Sequence, residues 1–265
     1  MAPSFRILAH DHRLVVVDKD AGVTSEDVAA SLGRRLVHRI DRSTSGLLLL
    51  ADDARTVQRL QRLLSPAPRT AATTSSTSSA RSAAADDGPT SATGVVRTYL
   101  ALASGAVDPG VIDRALVHPG RRGRRRSVAP DDVAGDVDVA IAIADDRGDG
   151  APRAGADGAR PARTVVDVLA VGGGVTLVRA TLITGRTHQV RIHLADSGHP
   201  ILGDRVYGGD VATAAPRLML HAWRLAFVHP NTRVPVAFRS PPPPDFGEVV
   251  TQRCDPAAWA ALTGA

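Results

Sequence analysis

The 265-residue chain reads as an α+β domain. Three observations point that way. Short apolar runs bounded by turn residues recur along the whole chain, as buried strands do. Two β-branched runs, 164–171 and 175–183, are joined across Gly172-Gly173-Gly174 as a hairpin. Helical spacing is confined to a few short stretches, most with start or stop signals of their own.

In chain order, Ile7 to Val17 predicts a short strand, a turn at His10-Asp11-His12-Arg13, and a buried strand ending at Asp18-Lys19. Thr24 or Ser25, followed by Glu26-Asp27, starts a short helix that Gly33 stops. Leu47 to Ala51 is apolar throughout and fits a buried strand or short buried helix. Val57, Leu60, Leu63 and Leu64 recur at helical spacing over 55–64, and Pro66 and Pro68 end that helix. Residues 65–94 are mostly Ser, Thr, Ala, Gly, Asp and Pro, too poor in apolar anchors to offset the entropy of ordering, and predict a disordered insertion. Val95 to Ala103 is a strand, Val111-Ile112 a second short one, and 137–143 a loosely alternating third. Between them lies a basic loop, 121–126, and 145–163 predicts a flexible loop. After the hairpin, Thr187 to Asp196 predicts a helix closed by Gly198, with Val190 and Leu194 on one face and Thr187 and Arg191 on the next. Strands over 218–227 and 234–238 follow, then the stop at Pro241 to Pro244 and a terminal helix over 248–262. The loose segments are insertions in a single domain spanning 1–265, because neither side of them carries a complete set of elements.

Composition narrows the function. The net charge is +5 and the pI about 10.4. Lys19 is the only lysine, so every other basic side chain is arginine, which grips phosphate bidentately and stacks on bases. The balance favours an acidic partner such as nucleic acid. Cys254 is the only cysteine, which excludes an intramolecular disulfide and a cysteine-based zinc site and fits a reducing cytoplasm. No signal-peptide pattern and no apolar run of membrane-spanning length is present.

Two stretches carry chemical vocabulary. In His38-Arg39-Ile40-Asp41-Arg42-Ser43-Thr44-Ser45-Gly46, a carboxylate stands ahead of a core element between two guanidiniums, which favour its ionised form. Asp41 is therefore a candidate nucleophile or electrostatic stabiliser, and the competing reading is a loop carboxylate in a structural ion pair. In 184–208, Arg186, His188, Gln189 and Arg191 form a polar set suited to phosphates and base edges. His188, His193, His199 and His221 raise a metal site, but the five-residue spacing of the first two puts them on different faces of the expected helix, so no metal is assigned.

These stretches resemble the RluA-type pseudouridine synthases. His38 to Asp41 with Thr44-Ser45-Gly46-Leu47-Leu48 resembles the family's catalytic-aspartate motif, and Arg97-Thr98-Tyr99-Leu100-Ala101-Leu102 its tyrosine motif. Gly185 to Leu194, with Gly198-His199-Pro200-Ile201 and Gly203-Asp204, resembles its arginine motif, and Leu220-His221-Ala222 through Leu225, Phe227 and His229-Pro230 its C-terminal signature. The resemblance implies a curved, mostly antiparallel sheet with flanking helices and a central RNA-binding cleft, and the strand count agrees. It implies conversion of a uridine in rRNA or tRNA to pseudouridine, without a cofactor, by a cytoplasmic monomer. Asp41 matches the essential aspartate, Tyr99 the tyrosine that packs on the target base and is a candidate proton acceptor, and Arg191 the aspartate's cationic partner. Arg39 matches an arginine that enters the space the base vacates, and His38, Arg42, Thr44, Gly46, Arg186, His188 and Gln189 are expected to bind RNA. The alternative is a catalytically inactive RNA-binding or RNA-folding protein on the same fold. Departures are Lys19-Asp20 for Lys-Pro, Ile40 for leucine, Arg97 for lysine, a shortened 22–38 segment, the 65–94 insertion, and no N-terminal S4-like domain.

Overall fold

A computed structural model describes residues 4–64, 94–117, 126–128 and 159–263 of the protein. The insertion expected at 65–94 (apart from Gly94), most of the basic loop, the strand expected over 137–143 and the loop as far as residue 158 lie outside the described residues.

Strand β1 (Phe5–His10) and β2 (Leu14–Lys19) form the first hairpin, and helix α1 (Ser25–Leu32) follows. Thr24 caps α1 by accepting the Asp27 N–H at 3.0 Å, while Glu26 and Asp27 place negative charge at the positive end of its dipole. Gly33, at φ +61°, ends it in the left-handed conformation that glycine adopts without penalty. The two-residue β3 (Arg35–Leu36) then leads to β4 (Ser45–Ala51), buried along its whole length. The apolar run at 47–51 is thus a strand, and α2 (Ala54–Leu64) follows with Asp53 capping it through the N–H and hydroxyl of Thr56.

After the segment outside the description come β5 (Val96–Ser104), β6 (Gly110–Asp113) and β7 (Ala115–Val117). Strand β8 (Arg126–Val128) and β9 (Ala159–Arg160) flank β7 in a small three-stranded sheet, so the end of the loop expected over 145–163 is ordered backbone. Strands β10 (Arg163–Gly172) and β11 (Val175–Leu182) form the expected hairpin. Helix α3 is Gln189–Asp196, β12 is Leu220–Val228 and β13 is Pro235–Arg239. The single terminal helix expected over 248–262 is two helices, α4 (Pro244–Arg253) and α5 (Pro256–Thr263). Pro244 opens α4 at a position where its missing N–H is harmless, and Pro256 forces the break at Cys254-Asp255.

The main sheet runs β1-β2-β4-β12-β5-β11-β10-β6, with β3 beside β4 and β13 beside β12. Among the described pairs only β4 and β12 run parallel. This brings Ser45-Gly46, just after the Asp41 loop, against His221-Ala222 from the C-terminal third of the chain. Gly46 sits at φ +107°, and a Cβ there would lie 2.3 Å from the Ala222 carbonyl oxygen, so the two backbones meet as closely as they do only because the residue is glycine. The registers then carry one row across the sheet: Lys19 on β2, Gly46 on β4, Ala222 on β12, Tyr99 on β5 and Ala180 on β11. Tyr99 is the only ring in that row. Small residues on both sides leave room above it.

No described helix is long and apolar enough to cross a membrane.

Candidate active site

Asp41 sits in the loop between β3 and β4, held from two sides. The Ser25 hydroxyl, at the start of α1, donates to the Ile40 carbonyl at 2.9 Å and accepts the Ile40 N–H at 3.1 Å. The Lys19 ammonium, fully buried at the end of β2, donates to the carbonyls of Asp20 at 2.9 Å, Val23 at 2.8 Å and Thr44 at 2.7 Å, with Arg42 further off at 3.4 Å. One cation therefore ties together the turn after β2 and the loop on which Asp41 stands. Burial pulls the Lys19 pKa down to about 8, and the charge of Asp41 opposes that fall, so the ammonium is still charged at neutral pH.

The Asp41 carboxylate is 21% exposed and reaches Arg191 from α3, whose Nη1 donates to Oδ2 at 2.8 Å. Arg191 is buried, and its other donors are directed elsewhere. Its Nε and Nη2 grip the two carboxylate oxygens of Asp204, each at 2.8 Å. Asp204 is sealed from solvent, and its Oδ1 also accepts the N–H groups of Val206 at 2.9 Å and Tyr207 at 3.1 Å. Burial alone would raise the Asp204 pKa. The Arg191 bonds and charge, with the two amides, outweigh it and hold the carboxyl below its usual range. Burial similarly works against the Arg191 charge, and its two carboxylates more than reverse the effect.

His188 faces the other carboxylate oxygen, with Nε2 3.7 Å from Asp41 Oδ1. Its Nδ1 lies 3.0 Å from the Tyr207 hydroxyl, the two rings meet edge to face, and Arg191 lies over the Tyr207 ring. The His188 backbone is at φ +58°, uncommon for a residue with a Cβ. That conformation is why α3 starts at Gln189: His188 and Thr187 lie outside the helix expected over 187–196. Thr187 therefore does not share a helical face with Arg191.

Tyr99, on β5, is 8% exposed. Burial raises its phenol pKa, Arg97 works against the rise, and the charge of Asp41 adds to it. The phenol is thus within electrostatic reach of Asp41, which itself meets Arg191. Arg39 and Arg42 line the outer side: Arg39 pairs with Glu26 at 3.0 Å, both well exposed, and Arg42 donates to the Gly22 carbonyl at 2.8 Å. Arg186, in the chain before α3, is half-buried and donates to the Pro161 carbonyl at 3.2 Å.

Four residues assigned to RNA by sequence turn inward instead. The Gln189 amide oxygen accepts the Thr184 hydroxyl and the Arg186 N–H, and its nitrogen donates to the Arg163 carbonyl and Thr164. Thr44 and Gly46 are buried, the first offering its carbonyl to Lys19, the second backbone to backbone against β12. His38 accepts the Leu49 N–H on Nε2, and burial with the nearby Arg97 charge pushes its pKa down to about 3, which leaves it neutral. A motif read from sequence marks a loop without separating the side chains that face the ligand from those that hold the loop. The histidines also disperse: His193 bonds Thr164 and the Arg114 carbonyl, His199 the Ser104 carbonyl, and His221 bridges Ser45 and the Ser240 carbonyl.

Three residues of this site had no role assigned from sequence. Lys19 was visible as the sole lysine of an arginine-rich chain, and Asp204 and Tyr207 as a Gly-Asp and a Tyr-Gly pair after α3. No local pattern told that an aspartate 13 residues past Arg191 would be its bidentate partner.

A profile of the RNA pseudouridylate synthase family matches residues 13–196. Over 92% of its length the chain is 29% identical to the ribosomal large subunit pseudouridine synthase D of Nitrosomonas europaea, covering 64% of that protein. Over 31% of its length it is 49% identical to the dual-specificity RNA pseudouridine synthase RluA of Pasteurella multocida, covering 39% of it. The chain thus spans less than two-thirds of either relative. Its fold is that of human RNA pseudouridylate synthase domain containing 4, with a TM-score of 0.63 at 23% identity over 93% of this chain and 92% of that one.

Proposed function

Since this chain belongs to the RluA-type family of RNA pseudouridine synthases, we propose that it isomerises uridine in RNA to pseudouridine, with Asp41 as the reacting carboxylate. The contact between Asp41 and Arg191 carries the proposal: an accessible carboxylate is held by a buried guanidinium at 2.8 Å. One oxygen, Oδ2, is engaged by Arg191, which leaves Oδ1 to act on the sugar or the base of a bound uridine. Asp41 serves either as a nucleophile or, in a glycal route, as stabiliser and proton carrier while the N–C glycosidic bond breaks. Tyr99 packs against the freed base as it turns, and accepts the proton that C5 loses once the carbon–carbon bond has formed.

The uridine must leave its stack to reach Asp41, at a cost of a few kcal/mol. Arg39 can offset that cost by filling the gap. It needs only to leave an exposed ion pair with Glu26, a contact of a kind worth about 0–1 kcal/mol. The reaction takes no cofactor. The substrate is ribosomal or transfer RNA, with large-subunit rRNA the first to test given the name of the relative that matches most of this chain. The protein acts as a cytoplasmic monomer, in one catalytic domain carrying the 65–94 insertion.

The test is release of tritium from RNA labelled at C5 of uridine. Pseudouridine formation discharges that label to water. RNA binding with no tritium release would instead leave a protein that binds and folds RNA.

A further inference from the structure

Among the described residues, Arg97 is a buried cation with no carboxylate beside it. It is 8% exposed, its Nε is sealed without a hydrogen-bond partner, and no ion pair to it exists among the described residues. This is unusual: a guanidinium is charged at every relevant pH, and removing it from water without a counter-ion is strongly unfavourable. Its neighbours define its direction. Arg97 and Tyr99 are alternate residues of β5, in an unbroken register with Leu182 and Ala180 of β11, so both side chains leave the same face of the sheet. The loop before α3 closes over the guanidinium. A Cβ on Gly185 would lie 2.3 Å from Nη1 and 2.5 Å from Nη2, so only glycine lets that backbone lie against the charge. His38, which also feels the Arg97 charge, is neutral and supplies no anion.

We propose that Arg97 is a positioning residue for Tyr99, whose unbalanced charge lets the Tyr99 oxygen take the C5 proton of the isomerised base. This inference rests on Tyr99 being the proton acceptor, as proposed above. Once C5 has bonded to the sugar it is tetrahedral and still carries its hydrogen, and the ring holds a C6=N1 double bond. The phenol gives its proton to N1, which takes up the C6=N1 π pair. The phenolate so formed accepts the C5 proton, and the C5–H pair becomes the C5=C6 double bond. The net change is one proton moved from C5 to N1, with Tyr99 restored as a phenol. The transient phenolate is the species in need of help, because burial and the nearby Asp41 both disfavour it. Arg97 is the cation on the same strand face that opposes them, and the anion it lacks among the described residues is the one this step creates.

The experiment compares Arg97→Gln and Arg97→Lys with the wild-type chain on two RNAs. One carries uridine tritiated at C5. The other carries 5-fluorouridine, which has no C5 proton to lose and stops at the carbon-linked adduct. For Arg97→Gln, tritium release is expected to fall at least about tenfold, the lower end for losing help to a general base, while adduct formation on 5-fluorouridine stays within about twofold. Arg97→Lys keeps the charge and, if the glutamine variant does not fold, carries the test alone: its tritium release is expected to fall less, with adduct formation again unchanged. Equal losses on both RNAs in either variant, or tritium release at the wild-type rate in Arg97→Gln, would overturn the inference. A wild-type chain that releases no tritium from any RNA would instead remove the isomerase reading itself.

Discussion

Asp41 and Arg191 meet at 2.8 Å although 150 residues separate them. Arg191 brings only one N–H to this contact, because the other two donors it uses are directed to Asp204. The catalytic pair of the proposed mechanism is therefore one edge of a three-residue arrangement. Asp204 fixes the guanidinium, and the guanidinium orients the carboxylate. Two anions share one cation, so Asp41 is held in place without being fully neutralised, which suits a group that must still react.

Asp41→Asn is expected to abolish tritium release, by at least about three orders of magnitude for a reacting group that works together with its partners. The fold should survive, since Arg191 keeps Asp204 and no buried charge is left unpaired. RNA affinity, measured by filter binding, should stay within about threefold because the phosphate contacts are untouched. Turnover near the wild-type rate in this variant would show that another group does the chemistry.

Asp204→Asn has a different signature. It removes the buried partner that receives two of the Arg191 donors, and breaking such a pair typically destabilises by about 3–5 kcal/mol. Arg191→Met is expected to destabilise similarly, and the double variant by far less than the sum, because each single change strands the other charge. Urea unfolding of the three variants reads the coupling. Additive losses would mean that Asp204 and Arg191 do not stabilise the fold as a pair.

The difference between Asp41 and Asp204 also shows what was legible in the sequence. Strand and helix positions were readable because their signals are local: the Thr24 cap, the Gly33 stop, the apolar run at 47–51, the glycine hairpin at 172–174. Asp41, Tyr99 and Arg191 were readable because each sits in a distinctive run of residues. The parallel contact of β4 with β12 was not, since it joins segments about 175 residues apart and depends on Gly46 having no Cβ. Nor was the inward turn of Gln189, which follows from His188 taking a positive φ and starting α3 two residues later than helical periodicity suggests. The split of the terminal helix at Pro256 was a local signal too, but the expected helix over 248–262 ran through it.

Lys19→Met should act on both stability and turnover. The variant keeps much of the aliphatic stem but leaves the carbonyls of Asp20, Val23 and Thr44 without their shared donor. Stranding buried acceptors costs about 1–3 kcal/mol each when water cannot replace the lost donor. The loop carrying Asp41 loses its tether at Thr44, so kcat should fall by more than the loss of folded protein explains, while Arg191 and Asp204 still meet. Unchanged kcat in the folded fraction would reduce Lys19 to a purely structural support.

The last prediction concerns acid. His221 is buried between Ser45 and the Ser240 carbonyl, and burial pushes its pKa down to about 4. An unfolded histidine titrates near 6.5. Between these values the unfolded chain binds the proton and the folded chain does not, so the contribution of His221 is fully present above pH 6.5 and is lost as pH falls towards 4. One such group gives a slope of up to about 1.4 kcal/mol per pH unit over that window. Neutral His38 adds in the same direction, with its folded-state pKa lowered to about 3 by burial and by Arg97. The carboxyl of Asp204, lowered in the fold, loses its contribution at lower pH, as protons reach it. Urea unfolding at pH 7, 5.5 and 4.5 should therefore show stability falling well above the carboxylate range. His221→Asn should flatten the curve by about one proton, and a wild-type curve level from pH 6.5 to 4.5 would mean that these histidines are not held neutral by the fold.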